Sequence, residues 1–193
     1  MRPIANEIYH QLRFALPIWI LWLLTNWWPN NRVTIRVRGW LHRPFFKKCG
    51  RGFAMGRGVT ILNPQNIEVG DNVYLAHYVW LNGLGGIVLE DEVMLGPFVT
   101  ISSLGHTCRK GSFRFSGSVP GTVRIGRGSF LAAHVSVAYG VTIGAGCLIC
   151  ANAAVVRDVP PGTIAGGVPA EPLGPCEERE ATLTSRCGWR SVA

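Results

Sequence analysis

Acidic residues are almost absent from the first part of the sequence. Residues 1–51 contain nine lysines and arginines but a single acidic residue, Glu7, whereas residues 52–193 contain ten of each sign. The net charge of +8 therefore belongs to an N-terminal segment, and the balanced remainder gives no reason to expect a nucleic-acid partner. Charged residues are scarce overall, at 16% against 48% hydrophobic ones, which excludes intrinsic disorder for most of the chain. The 24 glycines lack the three-residue period of collagen.

The N-terminal segment contains a hydrophobic run that is short for a membrane-spanning helix. The run from Phe14 to Trp28 would form a helix of about 22 Å, whereas a bilayer core of about 30 Å needs around 20 apolar residues. Tryptophan, which prefers the boundary between membrane and water, occurs four times in ten residues: Trp19, Trp22, Trp27 and Trp28. Because cations flank the run, we expect residues 14–51 to attach to the cytoplasmic side of the inner membrane, as a peripheral or monotopic element. Packing on the domain or on a partner subunit, and true spanning, are the alternatives.

Beyond residue 50 the sequence repeats with a period of six residues. The period is unbroken from Ile125 to Val155, and upstream it continues between two-residue insertions. Its fourteen aliphatic positions are Met55, Ile61, Val69, Leu75, Leu81, Leu89, Leu95, Ile101, Ile125, Leu131, Val137, Ile143, Ile149 and Val155. Small residues follow most of them, which is typical of short strands that end in tight corners. A helix would need a spacing of about 3.6 residues, so the repeat predicts an all-β fold, a parallel β-helix with one continuous aliphatic column.

This repeat resembles that of the hexapeptide-repeat acyltransferases, whose fold is a left-handed parallel β-helix. The resemblance covers about residues 52–174 and is strongest in residues 125–170, which are similar to the closing coils of the galactoside and maltose O-acetyltransferases. We therefore divide the chain into a basic, membrane-affine segment (1–51), a hexapeptide-repeat domain (52–174) and a polar C-terminal tail (175–193). The resemblance implies a homotrimer and acetyl-CoA as the acetyl donor.

The one long interruption of the repeat carries the candidate catalytic residue. Between Ile101 and Val123 the aliphatic column stops, and this polar, basic loop contains His106 directly after a glycine. Transfer of an acetyl group from a thioester to a hydroxyl needs a base that works near neutrality, and imidazole has a suitable pKa. In the family that the repeat resembles, a strand followed by Gly-His carries this base. The resemblance therefore assigns the role of general base to His106, without a covalent intermediate.

The resemblance also implies positions for the donor and the acceptor. It lays coenzyme A along the outside of the coils, between neighbouring subunits, at Phe130, Ala133, Ala151, Val156, Arg157 and Gly166. Relatives often have tryptophan in place of Phe130 and a basic residue in place of Glu171. The acceptor side matches less well, and its candidates are Tyr78, Trp80, Asn82 and His134. Tyr78 and Trp80 suit either stacking on a sugar or covering a subunit interface, whereas His134 suits either corner hydrogen bonding or lining the site near His106.

These features predict a bacterial acetyl-CoA-dependent O-acetyltransferase. Its acceptor would be a sugar hydroxyl of a surface polysaccharide or of a lipid-linked, for example polyprenyl-linked, saccharide. A xenobiotic O-acetyltransferase is the alternative among enzymes, because the closing coils also resemble that branch. A catalytically silent β-helix scaffold is the alternative from another class. We expect no metal, because Cys147 and Cys150, although spaced as C-x-x-C, fall on small-residue positions of the repeat.

Overall fold

The computed structural model describes residues 2–176, so residues 177–193 of the predicted C-terminal tail lie outside the described range. Three α-helices come first: α1 (Arg2–His10), α2 (Leu16–Thr25) and α3 (Arg32–His42). A π-helical turn (Gln11–Ala15) joins α1 to α2, and short 3-10 turns follow at Arg43–Phe45 and Pro64–Asn66. Asn31 sets the start of α3, because its Oδ1 accepts a hydrogen bond from the Thr34 N–H at 2.9 Å. Among the described helices, none combines the length and the apolar character that crossing a membrane requires.

A parallel β-helix forms most of the remaining described chain. Its strands and their extensions are, in chain order, β1 (Lys48–Cys49), β2 (Ala54–Met55), β3 (Thr60–Leu62), β4 (Ile67–Val69), β5 (Tyr74–Leu75), β6 (Trp80–Asn82), β7 (Ile87–Leu89), β8 (Met94–Leu95), β9 (Thr100–Ser102), β10 (Leu104–His106), β11 (Ser118–Pro120), β12 (Val123–Ile125), β13 (Phe130–Leu131), β14 (Ser136–Val137), β15 (Thr142–Ile143), β16 (Leu148–Ile149), β17 (Ala154–Val155), β18 (Thr163–Gly166) and β19 (Glu171–Pro175). The first coil already includes β1, which precedes residue 52.

Three sheets form the faces of the coil. Sheet A has the order β1-β4-β7-β12-β15, sheet B has the order β2-β5-β8-β13-β16-β18-β19, and sheet C has the order β3-β6-β9-β14-β17. The strands within each sheet are parallel, except that β19 pairs with β18 in the antiparallel direction. A separate antiparallel hairpin consists of β10 and β11.

The coils change length where the sequence predicts it. In sheet B, Ala54 lies opposite Tyr74 and Tyr74 opposite Met94, so each of these coils has twenty residues. In a later coil Phe130 lies opposite Leu148, eighteen residues further on. The two extra residues lie at the corner between sheets C and A, and the long interruption leaves the third coil at this same corner. The interruption is therefore an enlarged corner, and Met94 still pairs with Phe130 across it.

The interior is an aliphatic column, as predicted. All fourteen positions of the six-residue period are buried. A second inward-facing set lies two positions before most of them, and Val73, Val93 and Val135 of this set have exposures of 0%. The period identified only one of the two inward positions on each face, because the second set includes residues such as Cys147 and Ala153 that are not large aliphatics.

The N-terminal helices cover the open end of this column. The first coil has no preceding coil to pair with, so its backbone groups on that side need other partners. The Oδ1 atom of Asn26 accepts a hydrogen bond from the Gly58 N–H at 2.9 Å, and that of Asn30 accepts one from the Arg57 N–H at 3.1 Å. The end of the Trp-rich run and the residues that follow it thus replace the missing coil at one corner.

Helix α3 covers the free edge of β2 in the same way. At Gly39 the helix backbone lies directly on this edge, since a Cβ there would be 2.3 Å from the carbonyl oxygen of Phe53. The adjacent Arg38 is 2% exposed and donates hydrogen bonds to the carbonyls of Met55, at 2.9 Å, and Thr25, at 3.2 Å. Burial, and to a lesser degree the charge of Arg57, lowers the pKa of this guanidinium. The N-terminal segment therefore packs on the domain, while the outer faces of its helices remain exposed.

Candidate active site

A β-hairpin carries the candidate base. It leaves the third coil directly after β9, and its register places Leu104 opposite Pro120 and His106 opposite Ser118. The N–H and the hydroxyl of Thr107 both donate to the carbonyl of Gly117, at 2.9 Å and 2.8 Å, and so fasten the hairpin just beyond the histidine. His106 itself is exposed. The structure thus presents this imidazole at the surface, on an extension of a rigid coil.

The base of the hairpin is anchored by Ser103, which is fully buried. Its hydroxyl donates to the carbonyl of Asn82 at 2.7 Å and accepts from the N–H of Gly85 at 2.8 Å. Its carbonyl accepts a hydrogen bond from the N–H of Gly121 at 2.9 Å. Through its hydroxyl and its carbonyl, Ser103 therefore links the second coil, the third coil and both ends of the hairpin, and this linkage positions β10.

Tyr139 lies beneath the hairpin and was not identified from the sequence. A Cβ at Gly105 would lie 2.3 Å from Cε1 of Tyr139, and a Cβ at Gly121 would lie 3.1 Å from its Cδ2. The ring therefore occupies the space between two glycines, one on each side of the hairpin. The available signal was this pair of glycines, because their missing side chains leave room for a large group. Tyr139 is 46% exposed and lies beside the strand that carries His106.

His134 belongs to an aromatic stack at the corner between sheets B and C. Its ring stacks on Phe98 with centroids 4.8 Å apart, and Phe98 stacks on Tyr78 at 5.1 Å. All three residues have positive φ, at 62°, 59° and 60°. This conformation is costly for bulky residues, so the stacking offsets part of that cost. His134 precedes β14, whereas His106 lies beyond the end of the neighbouring, parallel β9. The two imidazoles of one chain therefore lie at opposite ends of the strands of sheet C.

The other two acceptor candidates lie on β6. Trp80 is half-buried on the outer side of sheet C, opposite Thr100 of the next coil. The Oδ1 atom of Asn82 accepts hydrogen bonds from the Leu84 N–H at 3.3 Å and from the Asn63 side chain at 3.4 Å. Asn82 thus stabilises the enlarged corners. Because both hydrogen bonds use its Oδ1 atom, the N–H groups of its side-chain amide are the part available to a ligand.

Four of the candidate donor-binding residues lie on sheet B or at its corner with sheet C. Phe130, on β13, is half-buried and packs against Leu148, Cys150 and Ile164. Ala133 and Ala151 occupy equivalent corner positions one coil apart, and the carbonyl of Ala133 accepts a hydrogen bond from the N–H next to Ala151. Gly166 ends β18, where a Cβ would lie 3.0 Å from the Cβ of Cys150. Small residues at these three positions keep the backbone accessible at this corner.

The remaining two donor candidates lie at the end of sheet C. Val156 is 52% exposed directly after β17. The side chain of Arg157 forms an exposed ion pair with Glu171 at 3.4 Å, and Glu171 lies opposite Gly166 in the β18–β19 register. The structure therefore brings Arg157 to the turn that contains Gly166. It also places the carboxylate of Glu171 beside this guanidinium.

The described residues, 2–176, contain no group of three or more His, Cys, Asp or Glu side chains that could hold a metal ion. Cys147 is buried in the interior column, where its Sγ lies 3.1 Å from the carbonyl oxygen of Pro160. Desolvation raises the pKa of this thiol, so it stays protonated and behaves as a packing residue.

Comparison with known proteins places the chain among enzymes. No family model matches it. It is 31% identical over 170 residues to the colanic acid biosynthesis acetyltransferase WcaF of Escherichia coli (strain K12), a match that covers 86% of both chains. It is 29% identical over 149 residues to the galactoside O-acetyltransferase of the same organism. That second match covers 77% of this chain and 66% of the relative, so the chain spans just under two thirds of the relative's length.

A solved structure agrees with the fold. The hexapeptide-repeat acetyltransferase of Vibrio cholerae O1 biovar eltor, complexed with acetyl coenzyme A, matches with a TM-score of 0.72 and 25% sequence identity. This match covers 82% of the chain and 84% of the Vibrio protein. The prediction of a left-handed parallel β-helix is thereby confirmed. With its six-residue repeat, its three parallel sheets and its identity to WcaF over most of both chains, the chain belongs to the hexapeptide-repeat acetyltransferases.

Proposed function

We propose that the protein is an acetyl-CoA-dependent O-acetyltransferase that modifies a sugar hydroxyl of a bacterial surface polysaccharide or of a lipid-linked saccharide. The observation that carries this proposal is the exposed His106, held on a hairpin that is anchored to rigid coils on both sides. The similarity to WcaF, whose name places it in polysaccharide biosynthesis, favours a saccharide acceptor over a xenobiotic. The Vibrio relative binds acetyl coenzyme A, which supports this donor.

In the proposed reaction His106 acts as the general base. Its imidazole takes the proton of the sugar hydroxyl as the oxygen attacks the thioester carbonyl, and a backbone N–H near the next coil stabilises the oxyanion. When the C–S bond breaks, the imidazolium returns the proton to the sulfur. The products are an acetyl ester and the coenzyme A thiol. One base and a held donor suffice, so no covalent enzyme intermediate is needed.

We also propose a homotrimer in which coenzyme A lies between neighbouring subunits. The outer side of sheet A carries ion pairs such as Arg124–Glu90, at 3.0 Å, and is suited to water. The outer side of sheet B is apolar at Tyr74, Met94 and Phe130, and Met94 is 41% exposed. An apolar face of this kind is typical of a subunit contact. Within one chain the residues of the B–C corner lie away from His106. In such a trimer a partner would bring its own B–C corner residues toward His106.

The Trp-rich N-terminal segment suggests where the acceptor is found. Residues 14–51 would attach the protein to the cytoplasmic side of the inner membrane, where a polyprenyl-linked saccharide is accessible. Trp27, 84% exposed, and Trp19, 56% exposed, present large apolar surfaces on the outside of this segment. Three such segments in a trimer would bind together more tightly than one.

The proposal is tested by thiol release from acetyl-CoA with a panel of free and polyprenyl-linked sugars. We expect one acceptor class to stimulate release, and we expect His106→Ala to lower that rate by roughly 100-fold or more. The matched control is His10→Ala, which removes an imidazole from α1 and should keep the rate within about twofold. Full activity of His106→Ala would contradict the proposed role of His106, and acetyl-CoA binding without transfer to any saccharide of the panel would contradict the proposed acceptor.

A further inference from the structure

Helix α3 has two faces of different chemistry. The inner face, which lies on the first coil, consists of the buried Arg38, Gly39 and His42. The outer face carries an apolar stripe of Val33, Val37 and Trp40, which are 68%, 37% and 65% exposed. Their spacing of four and three residues aligns these side chains on one side of the helix. Nothing in the first coil covers this stripe, because α3 contacts the coil through its opposite face.

Cations surround the stripe. Arg32 and Arg36 are exposed on α3, and Lys48 is exposed just beyond it. The chain next to the end of α3 lines a cleft of about 520 Å³, whose walls are Trp40, Leu41, Arg43, Pro44, Phe46, Lys47, Lys48 and Cys49. Among residues 2–176, Arg32 and Arg36 have no salt-bridge partner, whereas Lys47 pairs with Glu68 at 2.8 Å and Lys48 lies opposite Glu68 in the β1–β4 register. Arg32 and Arg36 therefore provide uncompensated positive charge next to exposed apolar side chains, and Lys48 adds a further cation at the cleft.

A partner that matches this surface must be both apolar and negatively charged. A bilayer that contains anionic phospholipid meets both requirements, since apolar side chains enter its interface while lysine and arginine contact its phosphates. The proposed membrane attachment identifies residues 14–51 as the segment that makes contact, but it does not specify which face of this segment does so. The exposed tryptophans of the preceding helix supply further apolar surface in the same segment.

We propose that the outer face of α3, together with the adjoining cleft, docks on an anionic phospholipid bilayer, so that the β-helix stands on its capped end. This inference rests on the proposed membrane attachment and specifies its geometry. Because Gly39 lies on the open edge of the first coil, the helix separates that coil from the membrane. The hairpin with His106 leaves the third coil, two strand spacings of about 4.8 Å further on. Adding a helix thickness of about 10 Å places this coil about 20 Å from the bilayer surface.

This distance narrows the acceptor class. A sugar that is attached directly to its lipid phosphate would lie at the membrane surface, too close to be acetylated. The accepted hydroxyl would instead belong to a saccharide long enough to extend about 20 Å from the surface, that is, to a lipid-linked oligosaccharide.

The turn of the hairpin is the competing contact surface. Phe113 and Phe115 are 62% and 85% exposed there, next to Arg109, Lys110 and Arg114. If this turn entered the bilayer, the molecule would lie with its active site against the membrane. We favour α3 because its stripe lies on a helix that is fixed to the coil and adjoins a basic cleft.

Vesicle flotation of the full-length protein distinguishes these surfaces. The test variant is Arg32→Gln/Arg36→Gln/Lys48→Gln, and the matched control is Arg109→Gln/Lys110→Gln/Arg114→Gln, which also removes three charges. With vesicles of phosphatidylglycerol and phosphatidylcholine, we expect the test variant to bind roughly tenfold more weakly and the control to bind within about twofold of the wild type. The reverse order, equal loss in both variants, or no binding of the wild type would overturn the proposal.

A contact quencher on the lipid headgroups then tests the orientation. A fluorophore on Cys108, whose thiol is exposed in the hairpin turn, should remain unquenched on bound protein. A fluorophore on Val37→Cys, in a Cys108→Ser background, should be quenched. Quenching at Cys108 would overturn the upright orientation.

Thiol release with a free saccharide, measured on the same variants, separates this inference from the proposed reaction. Both charge variants keep His106, so a change in vesicle binding without a change in this rate concerns docking alone. The wild type could transfer no acetyl group while the test variant still bound vesicles more weakly than the wild type and the control. The proposed reaction would then fail and the proposed docking would stand.

Discussion

Gly105 is the residue on which the position of His106 depends most directly. Because its missing side chain makes room for Tyr139, a Cβ there would lie 2.3 Å from the tyrosine ring. We predict that Gly105→Ala displaces β10 and lowers kcat roughly tenfold or more, since a misplacement of about 1 Å at a catalytic group can cost about 100-fold. Steady-state thiol release, with circular dichroism to verify the fold, is the measurement.

Two further variants make this prediction specific. Gly117→Ala lies on the same hairpin, and its Cβ would be 3.6 Å from the nearest atom, Oγ1 of Thr107, which is an ordinary contact. It should therefore keep most of the activity. The double variant Gly105→Ala/Tyr139→Ala removes the clashing ring and should recover part of the lost rate. Equal rates for Gly105→Ala and Gly117→Ala would show that the contact with Tyr139 does not position the base.

Among individual residues, the sequence predicts His106 as the candidate base but does not predict the side chains that surround it. A histidine after a glycine, inside the one long interruption of a regular repeat, is a local pattern that can be identified in one chain. Tyr139 reaches the hairpin from the next coil, and its contact depends on how coils stack rather than on any motif. The stacking of His134 on Phe98 has the same origin, because residues far apart in the chain share one corner.

The end cap, formed by the N-terminal helices that cover the first coil, is the element that the sequence describes least well. The hydrophobic run and its flanking cations predicted contact with a membrane, and that prediction remains to be tested. The pattern did not show that Asn26 and Asn30 replace the hydrogen bonds of a missing coil, because single side-chain contacts leave no periodic signal. The insertions between repeats, in contrast, were visible as interruptions of a strict period.

Arg38 provides a test of the cap as a structural element. Its guanidinium is buried and donates to the backbone carbonyls of Thr25, Trp28 and Met55. We predict that Arg38→Met lowers the free energy of unfolding by on the order of 2–4 kcal/mol, because it leaves these carbonyls without their donor. Urea unfolding followed by circular dichroism measures this loss.

The matched control for this change lies on the same helix. Arg36 is exposed, so Arg36→Met should change the free energy of unfolding by less than about 0.5 kcal/mol. A similar small effect of both substitutions would mean that the cap contributes little to the stability of the β-helix. A transition that splits in two for Arg38→Met would mean instead that the cap unfolds separately from the coils.

For the whole molecule, the three faces of the coil differ in the surfaces they present. Sheet A has charged outer positions, and ion pairs join successive coils on it, such as Arg124–Glu90, and at its corner with sheet B, such as Arg127–Glu92. Sheets B and C have half-buried aromatic side chains on the outside, Phe130 and Trp80. The interior column is the same behind all three faces, so the stability of one chain does not explain this difference. Association through sheets B and C would explain it, and it would also place a partner's corner next to His106.

The third coil offers a matched pair of positions for testing this association. Met94 and Val88 both point outward from it, the first on sheet B and the second on sheet A. If the protein forms the proposed trimer, Met94→Lys should weaken it by roughly tenfold or more, because a buried, unpaired ammonium would be costly at an apolar contact. Val88→Lys adds the same charge to a face that already holds lysine and arginine, and it should leave the trimer intact. Sedimentation velocity across a range of concentrations measures both effects.

Acetyl transfer should fall together with the trimer, because the proposed donor site lies between subunits. A monomeric wild type that is fully active would contradict the shared site, and equal dissociation in both variants would place the contact elsewhere.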